Sequence, residues 1–426
     1  MRLVTIFIWL GVCLPASPAG LTLSLADALT RARSVALQYQ SAVIAAALAH
    51  EDRVQAKAAL LPSATWSNQY IYTQGNGTPS GVFIANNGVH EYDNQAIVHG
   101  DIYSPAKRAD YQRAIAAEAA ARARAEVAAR GLAATVVQDY YGLLAAQKRF
   151  ANAEQSLAEA RRFVEITRKL EAGGEAAHSD AVKAEIQMEQ RARETQDAQA
   201  GIERSRIGFG VLLFTDYTQE FSVEDDLMKA PALPPRAQME EMAGRNNPDI
   251  RAAQATVRQQ QFEVTAARAG YLPTLSFDYF FGIDANQYAI YNRDHQTNLG
   301  SVAQGTLTIP VWNWGATRSR VRQGQLRLDQ ARMELSLAQR QLLANLNSFY
   351  VEAQVASAQI ESLRRSLNLS TESLRLTLLR YEAGEVTVLE VADAQSTLAQ
   401  ARNAYDDGLV RYRVALADLQ TLTGAF

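Results

Sequence analysis

The sequence RYEAGEVTVLEVADAQ, residues 380–395, places a glycine inside a long segment of helical periodicity, and KLEAGGEAAHSDAVKA, residues 169–184, does the same. Glycine in a helix interior costs about 1 kcal/mol relative to alanine, so these breaks indicate points where the chain reverses. Pro62 and Pro273 lie 211 positions apart, and so do Gly173 and Gly384. Two independent landmarks with one offset predict an internal tandem repeat.

The predicted repeats divide the chain after a short leader. We expect a first repeat over residues 20–230, whose end from residue 215 is an acidic, proline-rich linker, and a second repeat over 231–426. Each begins with a helix of about 40 residues that ends at a Leu-Pro pair, because proline cannot continue a helix. These helices are predicted over Leu25–Leu61 and Met239–Leu272.

A β-hairpin follows each of these helices, over residues 65–103 and 274–310. The alternation is clearest in TLSFDYFF, residues 274–281, where Leu275, Phe277, Tyr279 and Phe281 share one face. Period-two patterning predicts a strand with one apolar and one polar face. The strands approach the length that crosses a bilayer as tilted β-structure. A two-layer hairpin packed on helices is the alternative that patterning leaves open.

Very long helices are predicted after the hairpins, over Ala106–Leu170 and Gly315–Tyr381, each about 100 Å long at 1.5 Å per residue. Leucine and other apolar residues recur every seven positions in the second of them, which is typical of coiled coils. A tip follows each long helix, near residues 173 and 384, and then another long helix. Such helices need neighbours from the same chain or from other subunits.

The N-terminal segment MRLVTIFIWLGVCLPASPA, residues 1–19, has a basic start, an uncharged apolar run and small residues at its end. This pattern predicts a secretory signal peptide, and Cys13, the single cysteine, lies within it. The chain has 42 basic and 45 acidic residues, a balance that argues against a nucleic-acid partner. The five histidines show no metal-ligand spacing. We therefore predict no catalytic, cofactor-binding or metal-binding residues, and no enzymatic activity.

Four strands in one chain cannot close a membrane barrel, and open sheet edges are not tolerated in lipid. If the strands cross a membrane, the chain must therefore form oligomers, and three copies would supply twelve strands. A signal peptide without an apolar membrane helix then favours the outer membrane of a Gram-negative cell.

Three segments carry a resemblance to a known family: ARAGYLPTLSF at 267–277, IPVWNWGATRSRV at 309–321 and LRYEAGEVTVLEVADAQSTLAQARNAY at 379–405. Together with the order of elements, they resemble the TolC family of outer-membrane efflux proteins. The resemblance implies an α+β homotrimer without a cofactor. Its 12-stranded transmembrane β-barrel would receive four strands from each chain and continue into a long periplasmic α-helical barrel.

The resemblance also implies a function. The chain would be the outer-membrane duct of a tripartite efflux or type I secretion system, through which small molecules leave passively, driven by an inner-membrane transporter. A periplasmic adaptor would join the two, and outer-membrane lipid would surround the barrel. The resemblance assigns adaptor contact to the residues of the two tips: Gly173, Gly174, Glu175, Gly384, Glu385 and Val386.

The family's pore gate maps onto four positions of this chain. Glu390 and Asp393 match the acidic residues that line the constriction, and in a trimer they would form stacked carboxylate rings that attract cations. Tyr381 and Asp180 match the pair that holds the family's gate shut. Val386 occupies the place of the usual basic latch residue, which leaves open how this gate is latched.

A periplasmic coiled-coil scaffold or adaptor is the alternative function. It accounts for the signal peptide and the heptads but not for paired, alternating strands of bilayer length. The sequence does not specify the transported substrate, whether a drug, a metal ion or a secreted protein.

Overall fold

The computed structural model describes residues 21–73, 89–229 and 231–424. The predicted signal peptide and Cys13 lie outside the described residues. The chain divides into two compact units. The tip unit comprises, within the described residues, 21–40, 129–245 and 344–424, and the sheet unit comprises 41–128 and 246–343. Each unit draws on both halves of the sequence.

Helices form most of both halves of the chain. In chain order they are α1 (Leu25–Val35), α2 (Leu37–Ala58), α3 (Pro105–Ala172), α4 (His178–Leu213), α5 (Arg236–Asn246), α6 (Pro248–Ala269), α7 (Ala316–Glu382) and α8 (Val388–Thr423). The lengths of α1 to α4 are 11, 22, 68 and 36 residues, and those of α5 to α8 are 11, 22, 67 and 36. The second half therefore repeats the helices of the first almost residue for residue. Among the helices of the described residues, none is both long and apolar enough to cross a membrane.

The prediction of one continuous helix at the start of each half was wrong. In the first half Ala36 is extended, with ψ of 111°, and separates α1 from α2. In the second half Asn247 separates α5 from α6 and caps α6, because its side chain accepts a hydrogen bond from the Ile250 amide at 3.0 Å. Proline at position 248 disfavours helical geometry at the residue before it. Ala36 lies between the apolar residues Val35 and Leu37, so the sequence does not mark the first of these breaks.

Four strands form one antiparallel sheet in the sheet unit: β2 (Ser63–Tyr72), β3 (His90–Tyr103), β5 (Thr274–Ala285) and β6 (Leu299–Thr308), in the order β2-β3-β5-β6. The two hairpins meet along β3 and β5, where Val98 lies opposite Tyr279 and His99 opposite Asp278. Strand β2 begins two residues before the predicted first hairpin, and the other three strands lie within the predicted hairpins. Strand β6 ends at Thr308 because proline at position 310 has no amide proton to donate.

The sheet keeps the predicted division into an apolar and a polar face. Phe277, Tyr279 and Phe281 are exposed in the single chain. On the other face the imidazole of His99 lies 2.7 Å from the Asp278 carboxylate, and Lys107 forms an ion pair with Asp101. One face of this sheet is therefore an uncovered apolar surface, while the other is crossed by paired charges.

A two-stranded parallel sheet joins the start of the described chain to its middle in the tip unit. Strand β1 (Leu21–Leu23) pairs with β4 (Phe221–Val223). The buried Tyr140 of α3 donates its hydroxyl hydrogen bond to the Glu224 carbonyl at 2.7 Å. A short 3₁₀ helix, Leu227–Lys229, follows β4. The predicted linker from residue 215 is thus a structured part of the tip unit.

Among the described residues, two apolar clusters stabilise the tip unit. The first surrounds β1 and β4 and includes Tyr140, Tyr141 and Phe209. The second lies between the helix ends near residues 173 and 384 and is formed by Phe163, Val164, Ala184, Leu374, Tyr381, Val388, Val391, Ala394 and Leu398. This second cluster positions the candidate gate.

Candidate gate and tip site

Both chain reversals are the same type of glycine turn. Gly174 and Gly384 are left-handed, with φ of 77° and 76°. At the first turn the Glu175 amide donates to the Leu170 carbonyl at 2.9 Å, and at the second the Glu385 amide donates to the Arg380 carbonyl at 2.9 Å. These bonds, which close six-residue turns, satisfy carbonyls at the end of the preceding helix.

The geometry changes the correspondence between the two tips. Gly384 corresponds to Gly174, which is the left-handed residue, and not to Gly173, as the shared offset of 211 had predicted. Helices α3 and α7 end at Ala172 and Glu382, and α4 and α8 begin at His178 and Val388, which are offsets of 210. Consequently, Asp180 and Glu390 occupy equivalent positions, because each is the third residue of the helix that follows its tip.

Tyr381 is fixed by its neighbours inside the second apolar cluster. Its side chain is 5% exposed, and its ring packs edge-on against Phe163 with a centroid distance of 5.1 Å. Its hydroxyl donates a hydrogen bond to Thr167 Oγ1 at 3.3 Å, while the Thr167 hydroxyl donates to the Phe163 carbonyl at 2.9 Å. Tyr381 of α7 is therefore tied to α3 by both a ring contact and a polar contact.

The predicted pairing of Tyr381 with Asp180 is not formed within the described part of this chain. The Asp180 carboxylate instead lies 3.3 Å from the Lys183 ammonium group, one turn along α4. Each residue has a different partner, so a direct contact between them would need either a rearrangement or a neighbouring subunit. The role of both residues in a gate stays a prediction.

Glu390 and Asp393 differ in their surroundings although both are exposed. The Glu390 carboxylate folds back to the start of α8, where it accepts hydrogen bonds from the Thr387 amide at 3.2 Å and the Thr387 hydroxyl at 3.3 Å. This arrangement belongs to a capping box. Asp393 lies one turn later on the same helix. Glu390 thus has a structural role that the sequence analysis did not anticipate, beside the predicted role in the gate.

The second tip has a local ion pair in place of a basic residue at position 386. Val386 packs against the apolar cluster beneath the turn. Arg380 lies 3.3 Å from the carboxylate of Glu385, across the turn itself. Packing through Val386 therefore holds this turn from inside, and the Arg380 pair closes it on the surface.

Three residues of the site were missed by the sequence analysis. Phe163 and Thr167 are the partners of Tyr381, and only the packing of α3 on α7 brings them together. His178 lies 2.7 Å from the Glu171 carboxylate and closes the first tip. The Glu-Ala-Gly motif followed by a histidine was the one available signal for this last pair.

Among the described residues, one cluster of three carboxylates has a spacing that would suit a metal ion. The carboxylate oxygens of Glu91, Asp93 and Asp284 lie within 4.8 Å of one another, at the end of β3 and β5 that is far from the helices. Exposed acidic clusters of this kind are common without a bound ion. This cluster is remote in sequence from the tips and contributes nothing to the candidate gate.

Comparison with known proteins agrees with this architecture. The family model described as outer membrane efflux protein matches residues 241–425. The outer membrane protein OprJ of Pseudomonas aeruginosa is 26% identical over 72% of this chain and 63% of its own length. The cobalt-zinc-cadmium resistance protein CzcC of Cupriavidus metallidurans is 25% identical over 64% of this chain and 62% of its own length. The match therefore spans less than two thirds of either relative.

The fold is shared over nearly the whole chain with solved outer-membrane channels. The crystal structure of the CmeC outer membrane channel of Campylobacter jejuni covers 94% of this chain and 85% of its own length, with a TM-score of 0.80. Sequence identity in that comparison is 17%, so it concerns the fold alone.

Proposed function

We propose that this chain is a TolC-like outer-membrane efflux protein, because it resembles such proteins in sequence, and that three copies of it form a duct from the outer membrane into the periplasm. The outer membrane is its location, as it is for its relatives. In the proposed assembly each copy contributes four strands to a twelve-stranded transmembrane barrel and its long helices to a periplasmic helical barrel. Transport through the duct is passive and needs no catalytic residue or cofactor.

The observation that carries this proposal is the four-stranded sheet. Within the described residues, β2 and β6 each have one edge without a partner strand, and the apolar face is uncovered. Unpaired backbone groups cannot remain in lipid. The strands alternate in direction, so β6 of one copy and β2 of the next run antiparallel. An all-antiparallel ring can therefore close with any whole number of copies.

Exposed apolar side chains on the helices support association between copies. Leu369, Leu376 and Leu379 of α7 are exposed in the single chain, and so are Val182 and Ile186 of α4. A stable surface helix normally buries such residues. A subunit interface between helices would cover them, whereas a monomeric periplasmic scaffold would leave them in water. The uncovered sheet face counts against that alternative for the same reason.

The two tips are the proposed docking points for a periplasmic adaptor, which would connect the duct to an inner-membrane transporter. Gly174 and Gly384 shape the turns, and Gly173, Glu175, Glu385 and Val386 complete the proposed surface. Tyr381, Asp180, Glu390 and Asp393 form the proposed gate behind them. CzcC is named for cobalt, zinc and cadmium resistance. Since the relatives differ in their named roles, the proposal covers efflux or secretion by a tripartite system without choosing a substrate.

Cross-linking across the free strand edges tests the trimer. The variant Ser67→Cys places a thiol on β2, and it is combined in turn with a cysteine at each of residues 301 to 307 on β6. Since β6 of one copy pairs with β2 of the next, we expect at least one combination to produce covalent dimers and trimers in outer-membrane fractions under oxidation. Ser67→Cys alone is the control and should give at most a dimer.

Two results would contradict the proposal. One is recovery of the protein as a periplasmic monomer without detergent, and the other is a cross-linked ladder that continues beyond three copies. A purified trimer should also produce discrete conductance steps in a planar bilayer, and a trimer that never conducts would rule out the duct while leaving the barrel.

A further inference from the structure

Two tryptophan side chains are exposed to solvent at the junction between β6 and α7. Trp312 and Trp314 belong to the segment 309–315 between β6 and α7, and their side chains are 75% and 89% exposed. Their rings contact each other edge to face, with centroids 5.7 Å apart. The corresponding junction of the first half, between β3 and α3, is a single residue, Ser104. The aromatic pair therefore belongs to one junction only.

The backbone of this segment is held in an uncommon conformation. Trp314 has φ of 55° and Gly315 has φ of 80°. A bulky residue in the left-handed region costs on the order of 1–2 kcal/mol, and such strain is characteristic of functional positions. Hydrogen bonds from the Ala316 amide to the Asn313 carbonyl at 3.0 Å and from the Ser319 amide to the Gly315 carbonyl at 3.0 Å stabilise it. The turn thus presents its indoles outward although burial would be more favourable.

A cavity of about 250 Å³ lies beside the tryptophan pair. It is lined by Gly270, Tyr271, Pro310, Trp312, Asn313 and Arg318, among others. Arg318 is exposed at its rim, and no carboxylate pairs with it in the described residues. The cavity therefore combines an aromatic wall with a free guanidinium group.

The residues that line this cavity include one charged side chain, that of Arg318. No acidic residue occurs in the sequence between Asp294 and Asp329, whereas arginines stand at 318, 320, 322 and 327. None of these four has a carboxylate partner in the described parts of the chain. At the junction of the first half, by contrast, Lys107 is neutralised by an ion pair with Asp101. The second junction therefore presents unneutralised positive charge.

We propose that this cavity binds the phosphate group of an anionic phospholipid in the periplasmic leaflet of the outer membrane. Arg318 binds the phosphate, and Trp312 and Trp314 lie among the headgroups and the first methylenes. This inference rests on the proposed function, because the barrel places the helix-bearing ends of the strands at that leaflet. Guanidinium groups bind phosphate bidentately, and tryptophan is enriched at membrane interfaces.

The apolar surface next to the cavity favours a lipid over a free anion or a protein carboxylate. Leu307 and Ile309, at the end of β6, are exposed, and Val311 beside Trp312 is 87% exposed. This apolar row continues the uncovered face of the sheet and leads to the cavity. A phospholipid would occupy both the apolar row and the cavity, with its acyl chains along the row and its phosphate at Arg318. Basic pockets beside membrane-spanning elements bind anionic headgroups in this way.

Native mass spectrometry of the full-length protein in detergent tests the inference. Short-chain phosphatidylglycerol, phosphatidylcholine of the same chain length and inorganic phosphate are titrated separately. We expect the wild type to retain phosphatidylglycerol in preference to phosphatidylcholine. Because it removes a charge-assisted hydrogen bond, Arg318→Ala should weaken phosphatidylglycerol binding about tenfold. Trp312→Ala should weaken the binding of both lipids.

Arg332→Ala is the matched control, because it removes the same charge from an exposed position of α7 where the arginine already pairs with Asp329 at 3.3 Å. It should change binding less than twofold. Equal effects of Arg318→Ala and Arg332→Ala would overturn the inference. So would a wild type without preference between the two lipids, as expected if a neighbouring subunit neutralises Arg318, or inorganic phosphate that displaces phosphatidylglycerol at equal concentration.

The same spectra separate this inference from the proposed function. A trimer mass without a preference for phosphatidylglycerol overturns the lipid site and leaves the duct intact. A monomer mass in the wild type overturns the duct itself, and with it the leaflet to which the site is assigned.

Discussion

Gly174 and Gly384 are the residues on which the two chain reversals depend. Their positive φ angles are readily adopted only by glycine. Gly173, next to the first of them, is not left-handed, and a Cβ atom placed there would meet only ordinary contacts of 3.6 Å. The double glycine of the first tip therefore contains one position that requires glycine and one that does not.

Substituting the two neighbouring glycines separates these roles. Gly174→Ala forces a side chain into the left-handed region and should destabilise the tip by about 1–2 kcal/mol. Gly173→Ala should leave it unchanged or slightly more stable. Hydrogen exchange of the amides at 170–180 is the measurement, and faster exchange in Gly173→Ala than in Gly174→Ala would contradict the assignment.

The contacts of Tyr381 could not be predicted from the sequence. Its position before the tip was predicted, but its partners Phe163 and Thr167 lie more than 200 residues away, and heptad spacing does not say which helix packs on which. The tip glycines were easier to find, because the local geometry alone requires them. Their correspondence was nevertheless predicted one residue out of step.

Removing the Tyr381 hydroxyl tests whether this contact holds the gate shut. Tyr381→Phe keeps the ring against Phe163 and loses the hydrogen bond to Thr167. If the gate opens by separating α3 from α7, loss of a bond worth about 1 kcal/mol should raise the open probability in planar bilayers roughly fivefold. Tyr405→Phe is the control, because within the described residues that hydroxyl hydrogen-bonds only to the Met228 sulfur, at 3.7 Å. Equal open probabilities in both variants would remove Tyr381 from the latch.

Among the elements, the sheet and the long helices were predictable and the short breaks were not. Strand alternation over 274–281 and the heptads of α7 are strong periodic signals. The breaks at Ala36 and Asn247 each involve a single residue. Only the proline at 248 marked one of them, and Ala36 has no residue type that predicts a break.

The contact between the two hairpins depends on another glycine, Gly282 of β5. A Cβ atom there would meet the Asn94 carbonyl of β3 and lie 2.7 Å from the Gln95 Cα. Gly300 of β6 is paired with Gly282, yet a Cβ atom on it would meet nothing within 4 Å. Position 282 therefore has no room for a side chain, whereas position 300, its partner on β6, does.

We expect Gly282→Ala to disrupt the pairing of β3 with β5 and to reduce the yield of assembled protein severalfold. Gly300→Ala should assemble as the wild type does, because its side chain enters open space. The amount of detergent-resistant trimer in outer-membrane fractions is the readout. Normal assembly of Gly282→Ala would show that β3 and β5 leave room for a side chain at this position.

At the scale of the whole molecule, a single chain displays an incomplete structure. Within the described residues, unpaired strand edges, an uncovered apolar face and exposed leucines on α7 are surfaces that neighbouring subunits would cover. The sequence predicted this need from four strands that cannot close a barrel. It could not predict the number of copies from periodicity alone, because an antiparallel ring accepts any number, and that number came from the family resemblance.

The predicted carboxylate rings can be tested only in the assembly. Neutralising both positions with Glu390→Gln and Asp393→Asn should lower the preference of the pore for cations over anions, because six negative charges leave a trimer. Glu361→Gln with Glu372→Gln is the matched control. Both of those residues are exposed on α7 and pair with arginines three residues later at 3.0 and 2.6 Å.

Reversal potentials in asymmetric salt measure this selectivity. The control variant should keep the wild-type value. An unchanged reversal potential in the Glu390 and Asp393 variant would leave Glu390 with its structural role at the start of α8 and no role in the pore.

The pairing of β1 with β4 has a consequence for the order in which the chain folds. Leu21 pairs with Phe221, so the first described strand has no partner until 200 further residues have followed it. Contacts so distant along the chain form late, since a large loop must close first. Strand β1 therefore stays unpaired until β4 is available to pair with it. Both strands lie in the first half, so this pairing can form only when that half is complete.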